Sequence, residues 1–461
     1  MTATIARRLA HFTHTLEYEA IPPPVIEKAR HLVLDTVGVC IGSTQLDFGR
    51  SAIALATGWG GPPQASIIGA GGLVAAQNAA LANGILGHGQ DYDDTHTESV
   101  VHPSAAMVPA ALAEAERSGS SGRAMLAALV AGTEATIRLA MPALNRFHLR
   151  GFHTTSIAAT FGSALMSARL RGMSEEEANQ AVGVGGSFTS GLLECVPAAS
   201  GAKRLHAGWA ALCGFVAADF AQRGFTGPAT VFEGKLGVYN SFLRDEKLDL
   251  AVIFDRIGER WEILDTRPKL YPCCHYLQSF LDCAAKLRRE HAIRTDDIAK
   301  IECRIAAGAV NMVCDPWPRK IDPRTGYDAR FSLPFAVALM FARGRAGTAE
   351  FSEATLPDPV IRSLMPKVSF EVEPRYEVKD MPGWVRVTLA NGAQHTAENP
   401  AVRGNAANPI PLDDLLDKYY ANTGFLGRAA SERIAGQILA LDESDGVGDL
   451  MAALRAVPAA A

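Results

Sequence analysis

Net charge is almost missing from this chain: 44 lysines and arginines face 49 aspartates and glutamates, which leaves −5 over 461 residues. A balance this close to zero provides no long-range attraction to nucleic acid or to an anionic membrane surface. We therefore expect neither partner. An anionic ligand would need a local basic pocket.

Long apolar runs are missing as well. No uninterrupted stretch approaches the roughly 18 residues that a bilayer span requires, and the N-terminus, MTATIARRLAHFTHTLEYEA, has no apolar segment of the kind found in signal peptides. Eight cysteines occur without a CxxC pair, at positions 40, 195, 213, 273, 274, 283, 303 and 314. Together these features predict reduced thiols, no membrane and a cytoplasmic protein.

Motifs for nucleotide binding and for serine hydrolysis are incomplete or missing. The stretch IIGAGGLVAAQNAA has Gly69 and Gly71, but Val74 stands where a dinucleotide-binding fingerprint needs its third glycine. A tight turn before a helix accounts for these glycines. No GxSxG sequence is present, which argues against a nucleophilic serine elbow.

A complete metal-ligand pattern is also missing. Asp91, Asp93 and Asp94 resemble the start of a calcium loop, but the glycine at its sixth position is missing and His102 replaces the closing glutamate. Neither HExxH nor paired CxxC sequences occur. We expect no metal and no cofactor, with magnesium at the aspartates as the open alternative.

The periodicity of the chain changes twice. Up to about residue 265 apolar residues recur at three- and four-residue spacing, and several helices are apolar nearly all round, which predicts a compact multi-helix core. From 266 to 408 the pattern alternates, and Asn391-Gly392 predicts a hairpin. Helical periodicity returns from 409 to 461. The expected fold is mainly α: a large all-helical domain, residues 1–265 and 409–461, with a smaller inserted α+β lid domain.

The ionisable residues that lie in apolar or glycine-rich surroundings are the candidates for chemistry. The richest stretch, residues 88–105, reads HGQDYDDTHTESVVHPSA. Each histidine taken alone is more often a hydrogen-bonded structural residue, and Asp93 and Asp94 suit a helix N-terminus. The candidates along the chain are Asp91, His96, His102, His153, Lys203, His206 and Lys269.

The run NGILGHGQDYDDTHTESVVHPSAAMVPAALA resembles a conserved motif of the MmgE/PrpD family. Further segments in the same order are similar to that family: GFHTTSIAATFGSA, SGAKRLHAGWAA, FEGKLGVYNSF, and RPKLYPCCHYLQSFLD followed by ARFSLPFAVALM. The resemblance implies a cofactor-independent homodimer with a helical domain and an α+β lid. It also implies activity on small di- or tricarboxylates: dehydration of 2-methylcitrate, decarboxylation of cis-aconitate or epimerisation of iminodisuccinate.

The resemblance assigns roles residue by residue. The family's active-site aspartate and lysines match Asp91, Lys203 and Lys269, and its histidines match His102 and His153. We expect these five to be catalytic. The set expected to bind substrate is Thr95, His96, His206 and Phe335. Phe335 stands where the family often has a tyrosine, and His96 where some members have a tryptophan.

Removing a proton next to a carboxylate requires a nearby base and cations that stabilise the enolate. Lysines and near-neutral histidines provide both. Because Phe335 lacks a phenol that could protonate a leaving hydroxyl, we expect an isomerase that epimerises an iminodisuccinate-like substrate. A methylcitrate-type dehydratase is the second hypothesis and a cis-aconitate-type decarboxylase the third. A non-catalytic dimer that binds polycarboxylates is the alternative outside enzymes.

Overall fold

The computed structural model describes residues 3–198, 200–244, 247–405 and 408–459. The fold is mainly helical, and a mixed sheet of four strands lies in the C-terminal half, which confirms the expected fold class. The ranges 1–265 and 409–461 include a few residues outside that description. Their use as domain limits stays a prediction.

Helices form most of the chain, and they occur before, between and after the strands of the four-stranded sheet. The first group is α1 Ile5–Thr15, α2 Pro23–Ser43, α3 Asp47–Trp59, α4 Ala76–His88, α5 Ser104–Ser118, α6 Gly122–Ala140, α7 Arg146–Leu149, α8 Thr154–Leu170, α9 Glu175–Gly185, α10 His206–Gln222 and α11 Val238–Leu243. The second group is α12 Gln278–Glu290, α13 Val310–Val313, α14 Trp317–Lys320, α15 Gly326–Ala329, α16 Leu333–Arg343 and α17 Pro359–Leu364. The last group is α18 Leu412–Thr423, α19 Arg428–Leu439 and α20 Gly448–Arg455.

The strands form one four-stranded sheet and two short ribbons. The ribbons pair β1 Ala65–Ser66 with β2 Leu73–Val74, and β3 Thr95–His96 with β4 Thr266–Arg267. The sheet contains β5 Ile298–Ile305, β6 Val368–Val372, β7 Gly383–Leu389 and β8 Gln394–Asn399 in the order β6-β5-β7-β8. Strand β6 is parallel to β5, whereas the other neighbours are antiparallel.

Two predicted turns are confirmed. Asn391-Gly392 lies in the β7–β8 hairpin, and Gly392 has a φ of +87°, which glycine adopts without strain. Gly69 and Gly71 also have positive φ and lie between β1 and β2. They therefore form a turn, as expected from the incomplete nucleotide motif.

The buried apolar residues form separate cores. One core lies within residues 271–402, which we call the α+β part. Other cores draw on residues up to 264, and the largest also takes residues from 412 to 457; these two ranges together are the helical part. The C-terminal helices thus pack with the N-terminal ones. Lys418 of α18 reaches Asp35 of α2 at 2.6 Å, and both side chains are buried.

Close helix packing places the first chemical groups. Helices α4 and α10 cross where Gly84 meets Gly208, and a Cβ at Gly208 would lie 2.3 Å from the carbonyl oxygen of Leu81. Only glycine allows an approach this close. The crossing brings the C-terminal end of α4, at His88, next to the turn that contains Lys203.

One stretch of helix, Gly122–Ala143, has the length and apolar composition of a membrane span. Its most apolar window is 94% buried inside the protein, as in a core helix, so it is weak evidence for a span.

Candidate active site

The acidic, histidine-rich stretch folds into a buried loop between α4 and α5. Asp91 adopts a φ of +52° and Val100 a φ of +55°, so the backbone turns sharply at both ends of β3. In the β3–β4 ribbon, Thr95 pairs with Arg267, which ties the loop to the segment that precedes Lys269. A stretch that is local in sequence is therefore fixed by residues from far along the chain.

Asp91 holds two lysines that come from different segments. Its Oδ1 lies 2.8 Å from Nζ of Lys203, and its Oδ2 lies 3.3 Å from Nζ of Lys269. Lys269 also donates to the main-chain oxygen of Asp91, at 3.0 Å. Lys269 is completely buried, and Asp91 and Lys203 are almost so. One carboxylate thus pairs with two ammonium groups, and all three charged groups are shielded from water.

Charge in this network is fixed by the ion pairs. Burial opposes ionisation of Asp91, but the neighbouring ammonium groups of Lys203 and Lys269 outweigh it and hold the pKa of Asp91 well below its usual range. Burial would lower the pKa of Lys203, but the carboxylates of Asp91 and Asp93 prevail and raise it. Lys203 therefore stays protonated at neutral pH, which suits binding an anion and does not suit a general base.

His88 completes the network, and sequence reasoning missed it. Nζ of Lys203 lies 3.2 Å from Nε2 of His88, and Nδ1 of His88 lies 2.6 Å from Oδ2 of Asp93. An ammonium can only donate, so Nε2 of His88 accepts and its Nδ1–H donates to Asp93. His88 and Asp91 thus both accept from Lys203 and fix its orientation together.

The hydrogen bonds of His102 likewise show which of its two ring nitrogens has the proton. Its Nδ1 lies 2.7 Å from the carbonyl oxygen of Asp94, which can only accept, so Nδ1 has the proton and Nε2 keeps its lone pair. Burial holds the pKa of His102 well below its usual value, so the ring is neutral. His102 lines the cavity described below, where it can act as a proton acceptor.

Thr95 connects His102 with a second histidine that the sequence analysis did not single out. The Thr95 hydroxyl lies 3.0 Å from Nδ1 of His102 and 2.9 Å from Nδ1 of His275. Because Nδ1 of His102 has its own proton, the hydroxyl can donate to His275, which leaves His275 with its proton on Nε2. That Nε2 is buried and has no hydrogen-bond partner in the described parts of the chain.

Three more histidines lie side by side next to this set. Nδ1 of His153 is 3.0 Å from Nδ1 of His206, and the ring of His153 stacks on that of His148 with centroids 5.7 Å apart. Burial lowers the pKa of His153 well below its usual value, and it lowers those of His148 and His206 to about 3. These rings are therefore uncharged at neutral pH.

A cavity of about 30 Å³ lies between the two parts of the molecule. The helical part lines it with Asp91, Thr95, Val100, His102, His148, Leu193 and Lys203, and the α+β part with Cys274, His275, Tyr276, Met312, Phe331 and Met381. This volume accommodates about two water molecules. A polycarboxylate can therefore enter only after the two walls move apart.

The structure brings most of the expected site residues together. Asp91, Thr95, His102 and Lys203 line the cavity, and Lys269 contacts Asp91 directly. His153 and His206 lie just behind this lining, within the histidine group. Their chemical roles stay predictions.

Three expected substrate contacts do not line the cavity: His206, which lies behind the lining, His96 and Phe335. His96 bonds to Ser99 at 2.8 Å and faces Glu262 at 3.5 Å, both outside the lining. Phe335 is 0% exposed and packs near Phe351 in the core of the α+β part, so it does not line the cavity, and the reaction inferred from its missing phenol stays a prediction. Tyr276, which was not among the candidates from the sequence, does line the cavity.

No group of three or more histidine, cysteine, aspartate or glutamate side chains in the described residues is arranged to hold a metal ion. Asp91 and Asp93 are instead engaged by Lys203, Lys269 and His88. Whether activity depends on a metal stays untested.

The buried carboxyl group of Asp94 makes the stability of the fold depend on pH. Its Oδ1 accepts from the backbone N–H of Ser104 at 3.2 Å, its Oδ2 has no hydrogen bond to any described residue, and burial raises its pKa to about 7. The folded protein thus keeps a proton that the unfolded chain, with a pKa near ~3.9, releases. Between about pH 4 and 7 this group alone lowers stability as pH rises, by up to about 1.4 kcal/mol per pH unit.

We predict that Asp94→Asn, which keeps the acceptor for Ser104 and cannot ionise, gains stability relative to the unmodified protein across that window. Urea unfolding at pH 4, 5.5 and 7 measures the difference. The exposed Asp413→Asn serves as the matched control. A difference between Asp94→Asn and the unmodified protein that does not change with pH would contradict the assignment.

Comparison with known proteins finds similarity over nearly the whole chain. Residues 7–251 match the MmgE/PrpD N-terminal domain, and residues 271–443 match the MmgE/PrpD C-terminal domain. The chain is 28% identical over 449 residues to the cis-aconitate decarboxylase of Homo sapiens, covering 92% of this chain and 88% of that protein. It is 23% identical over 470 residues to the cis-aconitate decarboxylase-like protein oryM of Aspergillus oryzae, covering 97% and 96%.

A third relative, the cis-aconitate decarboxylase of Aspergillus terreus, is 21% identical over 471 residues, covering 97% of this chain and 95% of that protein. These relatives are named for decarboxylation, and they give no support to an iminodisuccinate epimerase in particular. Two family models that together match most of the sequence establish the relationship: the chain belongs to the MmgE/PrpD family.

Proposed function

We propose that this protein is an acid–base enzyme that decarboxylates a small unsaturated polycarboxylate of the cis-aconitate type. The observation that carries the proposal is the cavity in which Lys203, kept charged by Asp91, faces the neutral imidazoles of His102 and His275. A fixed cation binds a carboxylate, and neutral imidazoles exchange protons with carbon or oxygen.

Decarboxylation of such a substrate breaks one carbon–carbon bond and forms one carbon–hydrogen bond. The bond between a CH₂ group and its carboxylate breaks, and CO₂ leaves. The electron pair of the broken bond forms a new double bond between the former CH₂ carbon and its neighbour, and the electron pair of the old double bond forms a C–H bond with a proton at the far carbon. One proton is consumed in each turnover. Lys203 would stabilise a remaining carboxylate, the Nε2–H of His275 would donate a hydrogen bond to a second one, and a histidine would supply the proton.

The order of the alternatives changes with the structure. Epimerisation was favoured because Phe335 lacks a phenol, and Phe335 lies in the core, away from the cavity. Tyr276 does line the cavity, so the absence of a tyrosine at position 335 does not argue against dehydration. Dehydration and epimerisation both remain outcomes that the assay below can return, and decarboxylation is favoured by the names of the relatives.

We predict that the purified protein releases CO₂ from cis-aconitate and that, in D₂O, the product contains one deuterium at the newly protonated carbon. Activity should survive EDTA. Lys203→Met should lower turnover on the order of 10²-fold or more, since it removes the fixed cation. Lys235→Met, an exposed lysine outside the network, is the matched control.

Product analysis by NMR, run with cis-aconitate, 2-methylcitrate and iminodisuccinate in parallel, decides between the hypotheses. Water loss from 2-methylcitrate or inversion of iminodisuccinate without CO₂ release would replace decarboxylation as the function. Binding without any exchange of hydrogen would support the non-catalytic alternative. Loss of activity in EDTA that Mg²⁺ restores would contradict metal independence.

We also propose that two copies of the chain associate through α10. Apolar side chains spaced three and four residues apart leave one face of this helix partly uncovered, namely Leu205 at its start, Trp209, Leu212, Val216 and Phe220. Leu205 is 50% exposed and Trp209 41%. A second copy that presents the same face would remove this apolar stripe from water.

Light scattering is expected to report twice the chain mass for the unmodified protein. Trp209→Glu, which places a charge in the stripe, should shift the mass toward that of one chain. Val360→Glu, an exposed apolar position on α17, should leave it unchanged. A monomeric mass for the unmodified protein at micromolar concentration would contradict the dimer.

A further inference from the structure

His153 and His206 contact each other through one ring nitrogen each. Their Nδ1 atoms are 3.0 Å apart, and a hydrogen bond at that distance needs one ring to donate and the other to accept. His153 is completely buried, and its Nε2 finds no hydrogen-bond partner in the residues that the structure describes. The two rings thus share one proton between their Nδ1 atoms.

His153 lies one ring behind the cavity lining, so it reaches the reaction space once the cavity walls move apart for substrate. Its centroid lies 5.5 Å from that of His88, 5.8 Å from that of His102 and 5.7 Å from that of His148. His102 and His148 both line the cavity. The positive charge of Lys203 and burial keep His153 neutral. A neutral imidazole is a poor acid, because giving up its only N–H leaves an imidazolate.

A second imidazole prevents the imidazolate from forming if it donates a proton to the first. When Nε2 of His153 gives its proton to carbon, Nδ1 of His153 can take the proton of His206, and no imidazolate forms. His206 in turn takes a proton at its own Nε2 from water at the surface. Each ring loses one N–H and gains one, and the substrate carbon gains the proton that decarboxylation consumes.

We propose that His206 is a proton-relay residue that couples His153 to solvent during decarboxylation. The proposal rests on the proposed function, since it is the net uptake of one proton that requires such a path. His206 starts α10 and keeps about 9% of its surface exposed, whereas His153 keeps none. It lies next to Leu205, at the end of the apolar stripe.

The relay resets when the cavity opens for product release. Water can then reprotonate Nε2 of His153, its Nδ1–H passes back to His206, and His206 releases its Nε2 proton. The starting tautomers are restored without a charged imidazole at either position.

His206→Asn separates the relay from simple support of the fold. The asparagine amide can donate to Nδ1 of His153 in place of the imidazole N–H, but it cannot pass a proton on. We expect kcat to fall on the order of 10²-fold while KM changes less than about twofold, the lower range for one proton-transfer group. His11→Asn, an exposed histidine paired with Glu175, is the matched control and should leave both constants unchanged.

His206→Ala provides the second test, because it leaves room for a small base. Imidazole added to the buffer should restore at least about a tenth of the lost kcat, and the rate should saturate with imidazole concentration. Normal kcat in His206→Asn, or a folded His206→Ala protein that imidazole fails to rescue, would overturn the relay.

A readout without turnover keeps this test separate from the function itself. If the unmodified protein releases no CO₂, the proposed function fails. The relay contact can still be tested by ¹⁵N NMR of the histidine rings. The His153 ring nitrogens should shift strongly in His206→Ala and only slightly in His206→Asn, and His153 resonances that do not respond to either variant would overturn the contact.

Discussion

The carboxylate of Asp91 is the buried anion on which the rest of the site depends. Lys203 and Lys269 each contact a different oxygen of this carboxylate, at 2.8 and 3.3 Å. Removing these three charges from water costs several kcal/mol for each ion, and their mutual attraction offsets that cost only while every partner is present, so the arrangement is stable only as a whole. It joins the loop after α4, the turn before α10 and the segment before the α+β part. A binding cation is thereby fixed before any substrate arrives.

Around this charged centre the histidines are held uncharged. Burial lowers the pKa of His102, His153 and His275, and each has a defined hydrogen-bond partner at Nδ1. The division of labour follows from this: lysines hold carboxylates, while neutral rings move protons without placing further charge in the cavity. The C-terminal helices support the same loop, since Nζ of Lys418 donates to the main-chain oxygen of Tyr92 at 2.7 Å.

Sequence reasoning predicted the parts of this molecule that local patterns encode. Helical and alternating periodicity, together with Asn391-Gly392, predicted the fold class and the β7–β8 hairpin because these depend on neighbours in the chain. The motif resemblance identified Asp91, His102 and Lys203, which meet at the cavity. His88 and His275 were overlooked because their partners, Lys203 and Thr95, lie 115 and 180 residues away. The core position of Phe335 could not be predicted, because the sequence does not tell which face of α16 is turned to the core.

A crystal structure of the unmodified protein with tricarballylate, a saturated tricarboxylate that lacks the double bond, tests the central claim most directly. The account predicts one carboxylate within about 3 Å of Nζ of Lys203, with the Asp91 contact retained, and a methylene carbon within about 3.5 Å of Nε2 of His102 or His153. The two walls of the cavity should be closed over it. Tricarballylate bound elsewhere, with Lys203 still bonded only to Asp91 and His88, would contradict the account.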